Sequence, residues 1–178
     1  MFSACGLNCG LCPRYHTDGT SKCPGCAGEN FSAKHPPCGV LSCCQRNGIE
    51  YCFLCEDFPC KKYDNADLSD SFITHKNQFH DFDKAKRIGL DAYYAELNEK
   101  VNILECLLME YDDGRRKSFF CVAVNLLSLQ DISEVMNHII EETDPEATQK
   151  ARTATAVRLF ESMAEKRGIS LKLRTKTK

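Results

Sequence analysis

The sequence predicts an α-dominated, small α+β fold. A loop-rich, cysteine-rich module over residues 1–62 packs on a bundle of 4–5 helices over residues 63–178, and a short strand closes the chain. Three observations carry this reading. Eleven of the thirteen cysteines lie between Cys5 and Cys60. From about residue 83 onward, apolar side chains recur at helical intervals. The segment Ile169-Ser-Leu171-Lys-Leu173-Arg alternates with a period of two, as an edge strand does.

A chain of 178 residues suits one domain, or one domain with a small satellite. The formal net charge of −2 identifies no partner. Its distribution is uneven. Residues 1–149 carry 14 Lys and Arg against 23 Asp and Glu, a net of −9, whereas residues 150–178 carry 9 against 2, a net of +7. The longest apolar run, Phe119 to Leu129, is interrupted by Asn125 and Ser128 and is shorter than the about 20 residues of a bilayer span. The opening Met-Phe-Ser-Ala-Cys-Gly-Leu has neither the basic region nor the continuous apolar run of a signal peptide. The expectation is a cytoplasmic protein with no membrane association. Thiols stay reduced there, so dense cysteine points to metal or catalysis rather than disulfides. The odd cysteine count agrees; an exported disulfide scaffold is the alternative.

The spacing of the cysteines has a chemical meaning. Cys5, Cys9 and Cys12 read C-x3-C-x2-C, Cys23-Pro24-Gly25-Cys26 is a second C-x2-C, Cys38 and Cys43 enclose four residues, and Cys52-Phe53-Leu54-Cys55 is a third C-x2-C followed by Cys60. In a C-x2-C knuckle two thiolates meet one ion across a tight turn. Cys9, Cys12, Cys23 and Cys26 therefore make a tetrahedral four-thiolate site. A second site draws on Cys38, Cys43, Cys52, Cys55 and Cys60, five candidates for four positions. Cys44, adjacent to Cys43, is set aside as a bystander, and Cys5 is left over. The expected cofactor is zinc, about two ions. Such bonds, worth about 10–16 kcal/mol in small fingers, would hold a Gly- and Pro-rich segment with few large apolar side chains. Fully thiolate-ligated zinc offers no open position for water, which argues against hydrolytic catalysis. His16 and His35 could substitute as ligands. Cys106 and Cys121, far downstream in apolar runs, read as small buried hydrophobes.

Two resemblances follow from these residues. Cys5, Cys9 and Cys12 resemble the cluster loop of radical S-adenosylmethionine enzymes, in which three thiolates leave one iron open. Against it, only four residues precede Cys5 and the chain is shorter than such barrels need. A redox protein holding an iron–sulfur cluster is the broader alternative, because such clusters use similar spacings. The whole run from Cys5-Gly-Leu-Asn-Cys9-Gly-Leu-Cys12-Pro13 to Cys52-Phe-Leu-Cys55-Glu-Asp-Phe-Pro-Cys60 is similar to a prokaryotic cysteine-rich family, presumed to bind zinc, known as domain of unknown function 3795. The resemblance covers residues 3–63, with further similarity at Ile88-Gly89-Leu90 and from Asp113 to Cys121. It implies that Cys5, Cys9, Cys12, Cys23, Cys26, Cys38, Cys43, Cys52, Cys55 and Cys60 are the pattern positions, with Cys44 where the pattern has a small residue. No activity comes with it.

Downstream, Asp64, Asp67 and Asp70 at intervals of three read as a solvated helix start, and His75 and His80 as surface residues. Tyr93, Leu97, Val101, Leu104, Leu108 and Tyr111 form one apolar stripe, so a single long helix is expected over about 83–111, with Gly114 near its cap. Arg115, Arg116, Lys117 and Ser118 then sit before a helix N-terminus and form a candidate anion site. Phe119 to Leu127 reads as a buried helix. Asp131 and Glu134 suggest a capping box ahead of a stripe of Ile132, Val135, Met136, Ile139 and Ile140. Thr143 to Glu146 reads as the next helix start. Ala156, Leu159, Phe160, Met163 and Ala164 turn inward, and Gly168 ends that helix. Lys176 and Lys178 are expected to fray. A basic arm for nucleic acid is a further alternative for this end, although no aromatic follows Phe160 to stack on bases. Nucleotide-binding glycine loops, nucleophile elbows and HExxH are absent from the sequence. The leading functional expectation is a structural-zinc protein acting as a binding or regulatory module for a macromolecule or a small anion, with enzymatic activity not expected.

Overall fold

A computed structural model of the chain describes residues 1–64, 66 and 68–175. Asp67, the middle member of the aspartate series, and Lys176 and Lys178 lie outside the described residues. Among the described residues, seven α-helices follow one another: α1 (Phe31–Lys34), α2 (Gly39–Arg46), α3 (Gln78–Ile88), α4 (Leu90–Glu110), α5 (Lys117–Leu126), α6 (Leu129–Glu142) and α7 (Gln149–Lys166). Four single 3-10 turns accompany them, at Cys9–Leu11, Gly19–Ser21, Cys52–Leu54 and Lys61–Tyr63.

Among the described residues there is no strand, and the expected α+β class with a C-terminal strand is corrected to an all-helical one. A strand needs a neighbour to take its alternate N–H and C=O groups. Here the Arg174 amide donates to Asp70 Oδ2 (2.7 Å), the Arg174 carbonyl accepts from the Asp70 amide (2.9 Å), and no ladder continues. The alternation of residues 169–174 is real but unpartnered.

The chain divides into two compact units. One comprises Met1–Leu97 with the tail from Leu173, the other Asn98–Lys172. The first is built on rings. Phe82 of α3 is fully buried and meets Phe53 and Phe58, each at 5.1 Å between centroids, and Phe2 at 5.6 Å. Gly6 makes this closeness workable: it has φ +88°, and a Cβ there would stand 2.6 Å from the Phe82 ring. A buried polar chain runs beside the rings. Tyr93 Oη donates to Asn8 Oδ1 (2.9 Å), and Asn8 Nδ2 donates to Asp81 Oδ2 (2.8 Å). Gly89 (φ +85°) ends α3, so the expected single helix over 83–111 is two. Asp70, whose carboxylate is fully shielded, accepts from the His75 amide and from Arg174 Nε and Nη2 (2.8–3.2 Å).

The second unit follows the sequence pattern closely. Phe120 to Leu126 of α5 are all buried, as an apolar run on every face requires. In the part of α4 it includes, Leu104 and Leu107 are buried, with Leu107 in place of the expected Leu108, and Tyr111 just past the helix is buried too. Ile132, Val135 and Ile139 of α6 face in, whereas Ile140 is exposed. The pairs Arg167–Asp131, Lys166–Glu134 and Arg158–Glu142 ascend on α6 as they descend on α7, so the two helices run antiparallel. Ser128, rather than Asp131, caps α6 by accepting from the Asp131 amide at 3.1 Å. Thr143 ends α6 instead of starting the next helix, and Thr148 caps α7. Asp144 explains the difference: its side chain and carbonyl take the amides of Glu146 and Ala147 in a local turn. Gly168 (φ +66°) closes α7 as expected. Its amide bonds to Glu165 O and that of Ile169 to Ala164 O, the two bonds of a Schellman cap.

Candidate metal centre

Local turns bring the cysteines inward. The Cys12 amide donates to Cys9 O and the Cys55 amide to Cys52 O, both at 3.1 Å, so both knuckles are closed one-turn loops. The Cys23 amide donates to Arg14 O (2.9 Å), which places the second knuckle beside the first. Cys38 stands at the N-cap of α2, its sulfur accepting from the Leu41 amide at 3.5 Å. The Cys52 amide reaches Ala4 O (2.8 Å) and ties the third pair to the N-terminal strip.

The result is a cavity of about 540 Å³ within the first unit, lined by six thiols: Cys5, Cys9, Cys12, Cys23, Cys26 and Cys38. The four expected to form the first site are thus joined by Cys5, left over in the sequence reading, and by Cys38, assigned there to the second set. Mutual electrostatic influence marks their proximity. Burial, then the neighbouring thiols of Cys5, Cys26 and Cys12, push the Cys9 thiol up to about 12. Burial pushes Cys26 up to about 11, and Cys5, Cys38 and Cys23 add to the rise. Cys5 and Cys12 are raised by burial too, with Cys38 and Cys23 contributing respectively.

Cys43, Cys52, Cys55 and Cys60 do not line this cavity. Cys52 is buried against Cys44, whose thiol is pushed up to about 12 by burial and by Cys52. Cys44, set aside on spacing, is therefore a neighbour of a pattern cysteine. All thirteen cysteines are free of disulfides. His16 bonds Gly10 O through Nε2 (2.7 Å), and His35 stacks on Phe31 at the cavity wall.

The donor chemistry fits a thiophilic metal: soft sulfur ligands exceed the four of one tetrahedral site and face one space. Among the described residues, no three His, Cys, Asp or Glu side chains stand in the convergence of a formed metal site. If zinc or an iron–sulfur cluster binds here, the ligands come from these six thiols, and the group supplies the cross-link that the segment's small core does not.

Sequence reasoning missed the groups around the thiols. Gln78 Nε2 and Tyr63 Oη both donate to the Cys5 carbonyl, at 2.6 and 3.4 Å. His75, expected at the surface, is half-buried and lines the cavity. Burial lowers its pKa against the opposing pull of Asp70. These residues follow the cysteine segment at no motif spacing, so no signal in the sequence marks them.

In the turn before α5, carboxylates take the backbone amides. Asp112 Oδ1 accepts from Gly114 (3.1 Å) and Arg116 (2.8 Å), and Asp113 Oδ1 from Arg115 (3.1 Å). Arg115, Arg116 and Ser118 are exposed and Lys117 is half-buried. At the basic end, Arg152, Arg158, Lys166, Arg167 and Arg174 each engage an acidic partner.

Fold and site together define an all-helical protein whose first unit carries a thiol-lined cavity. Residues 1–65 match the profile described as "Protein of unknown function (DUF3795)". No curated protein matches the chain, nor does any solved structure. No helix is long and apolar enough to cross a membrane, among the described residues.

Proposed function

We propose that the protein binds metal through its N-terminal thiols, that the metal is zinc, and that its role is structural. The observation that supports this most is the gathering of Cys5, Cys9, Cys12, Cys23, Cys26 and Cys38 on one cavity, from three separate stretches of chain. A dication there neutralises thiolates that burial otherwise keeps protonated and joins segments linked by few apolar contacts. Cys43, Cys52, Cys55 and Cys60, with Cys44, supply further ligands for a second ion. The zinc-held module acts as a binding or regulatory platform in a reducing, cytoplasmic setting.

A second reading, an iron–sulfur protein, is favoured by one feature: six thiols share the cavity where a single zinc takes four. One experiment separates the two. Anaerobically purified protein is analysed for metals and sulfide, and its absorption spectrum is recorded. A colourless sample with about two zinc per chain supports the first reading; a brown sample with iron and sulfide replaces it with the second. Metal-free protein that keeps its fold rejects both. Cys9→Ser and Cys26→Ser should each lose one metal equivalent, and unchanged metal content in both would exclude the first cavity as the site.

A further inference from the structure

The thiol-lined cavity has a second character that metal binding does not use. Its wall includes Arg14, Lys34, Lys61 and Lys62, and no described Asp or Glu lines it. Lys61 and Lys62 are exposed. The Arg14 guanidinium lies 4.8 Å over the ring of Phe72, itself 59% exposed, so cation and apolar surface alternate on this wall. The volume of about 540 Å³ is that of a small-molecule site.

We propose that this cavity binds a small organic anion. Its apolar body lies against Phe31, Phe72 and Ile73, and its anionic group is held by Lys61, Lys62 and Arg14. This goes beyond the metal reading, since none of these contacts is a thiol.

The test uses the full chain and two fluorescent probes. 8-Anilinonaphthalene-1-sulfonate combines an anion, a fused aromatic body and an N–H donor; N-phenyl-1-naphthylamine is its counterpart without the sulfonate. The expected result is one saturable site with the sulfonate bound about tenfold more tightly, as charge-assisted contacts supply. The exposed pair Lys61→Ala with Lys62→Ala should remove that preference at unchanged Tm. Equal affinity for the two probes, or sulfonate binding indifferent to the lysine substitutions, overturns the proposal. Metal content measured on the same samples keeps the readings apart. Lysine-dependent binding without metal sustains this inference and rejects the metal; metal with lysine-independent binding does the reverse.

Discussion

The two units solve the same problem with different means. In Asn98–Lys172, long helices bury continuous apolar faces, and Phe120, Val124, Ile132, Ile139, Ala156 and Phe160 are almost wholly shielded. In the cysteine-rich part of the first unit, the helices run to eight residues at most, and three-residue turns do much of the folding. There a small set of rings around Phe82 and long-range hydrogen bonds such as Asn8–Asp81 stand where helical packing would be. Periodic burial stabilises a helix along its whole length, whereas a loop-rich segment depends on a few contacts between residues distant in sequence. The first unit should therefore respond sharply to single losses and to cross-linking ions.

Removing metal is the strongest way to break the comparison. With zinc bound as proposed, chelation should withdraw about 10 kcal/mol per structural site from residues 1–62 and leave the helices of the second unit protected, as hydrogen exchange would read segment by segment. Uniform loss of protection in both units would show that they are not held by different means.

Next come the ring cores. Phe82→Ala and Phe160→Ala each leave a large void and should cost about 3–5 kcal/mol. The first should also weaken metal retention and the second should not, as paired denaturant and metal-release measurements would reveal. Asn8→Ala follows. It strips the partner from Tyr93 Oη and from the Asp81 carboxylate, both buried, and should cost about 1–3 kcal/mol. An unchanged denaturation midpoint would show that water replaces the amide.

Acid sharpens the contrast with the smallest effect. Burial lowers the pKa of His75 in the folded state, so its contribution is complete above about pH 6.5 and is lost as pH falls through the lower folded value. Asp131 behaves differently. Burial opposes its ionisation, but the hydrogen bonds and charge of Arg167 and the Ser128 contacts outweigh this and hold its pKa below the ordinary carboxylate value. Its contribution is complete above about pH 4 and is lost only below that, as pH falls through the folded value. The first unit should thus loosen at higher pH than the second. Five of the six tyrosines belong to the first unit, which makes near-ultraviolet circular dichroism a reporter for it. His75→Phe should shift that transition toward lower pH; no shift would remove His75 from the explanation.

The sequence by itself determined the helices whose apolar faces repeat without interruption. The run from Phe119 and the stripe beginning at Ile132 lie where the pattern puts them, because 3.6-residue periodicity and burial are the same physical statement. It also determined the match of residues 1–65 to a family profile, since the cysteine spacing is written in consecutive residues. Tertiary structure decided the rest. It placed Cys5 and Cys38 with Cys9 and Cys26, set Cys44 against Cys52, and brought Gln78 and His75 to the cavity; these are meetings between residues distant in sequence, which no local spacing encodes. It also decided the fate of residues 169–174. Their alternation has the form of a strand, but a strand exists only where a second strand supplies its hydrogen bonds, and here Asp70 takes both backbone groups of Arg174 instead.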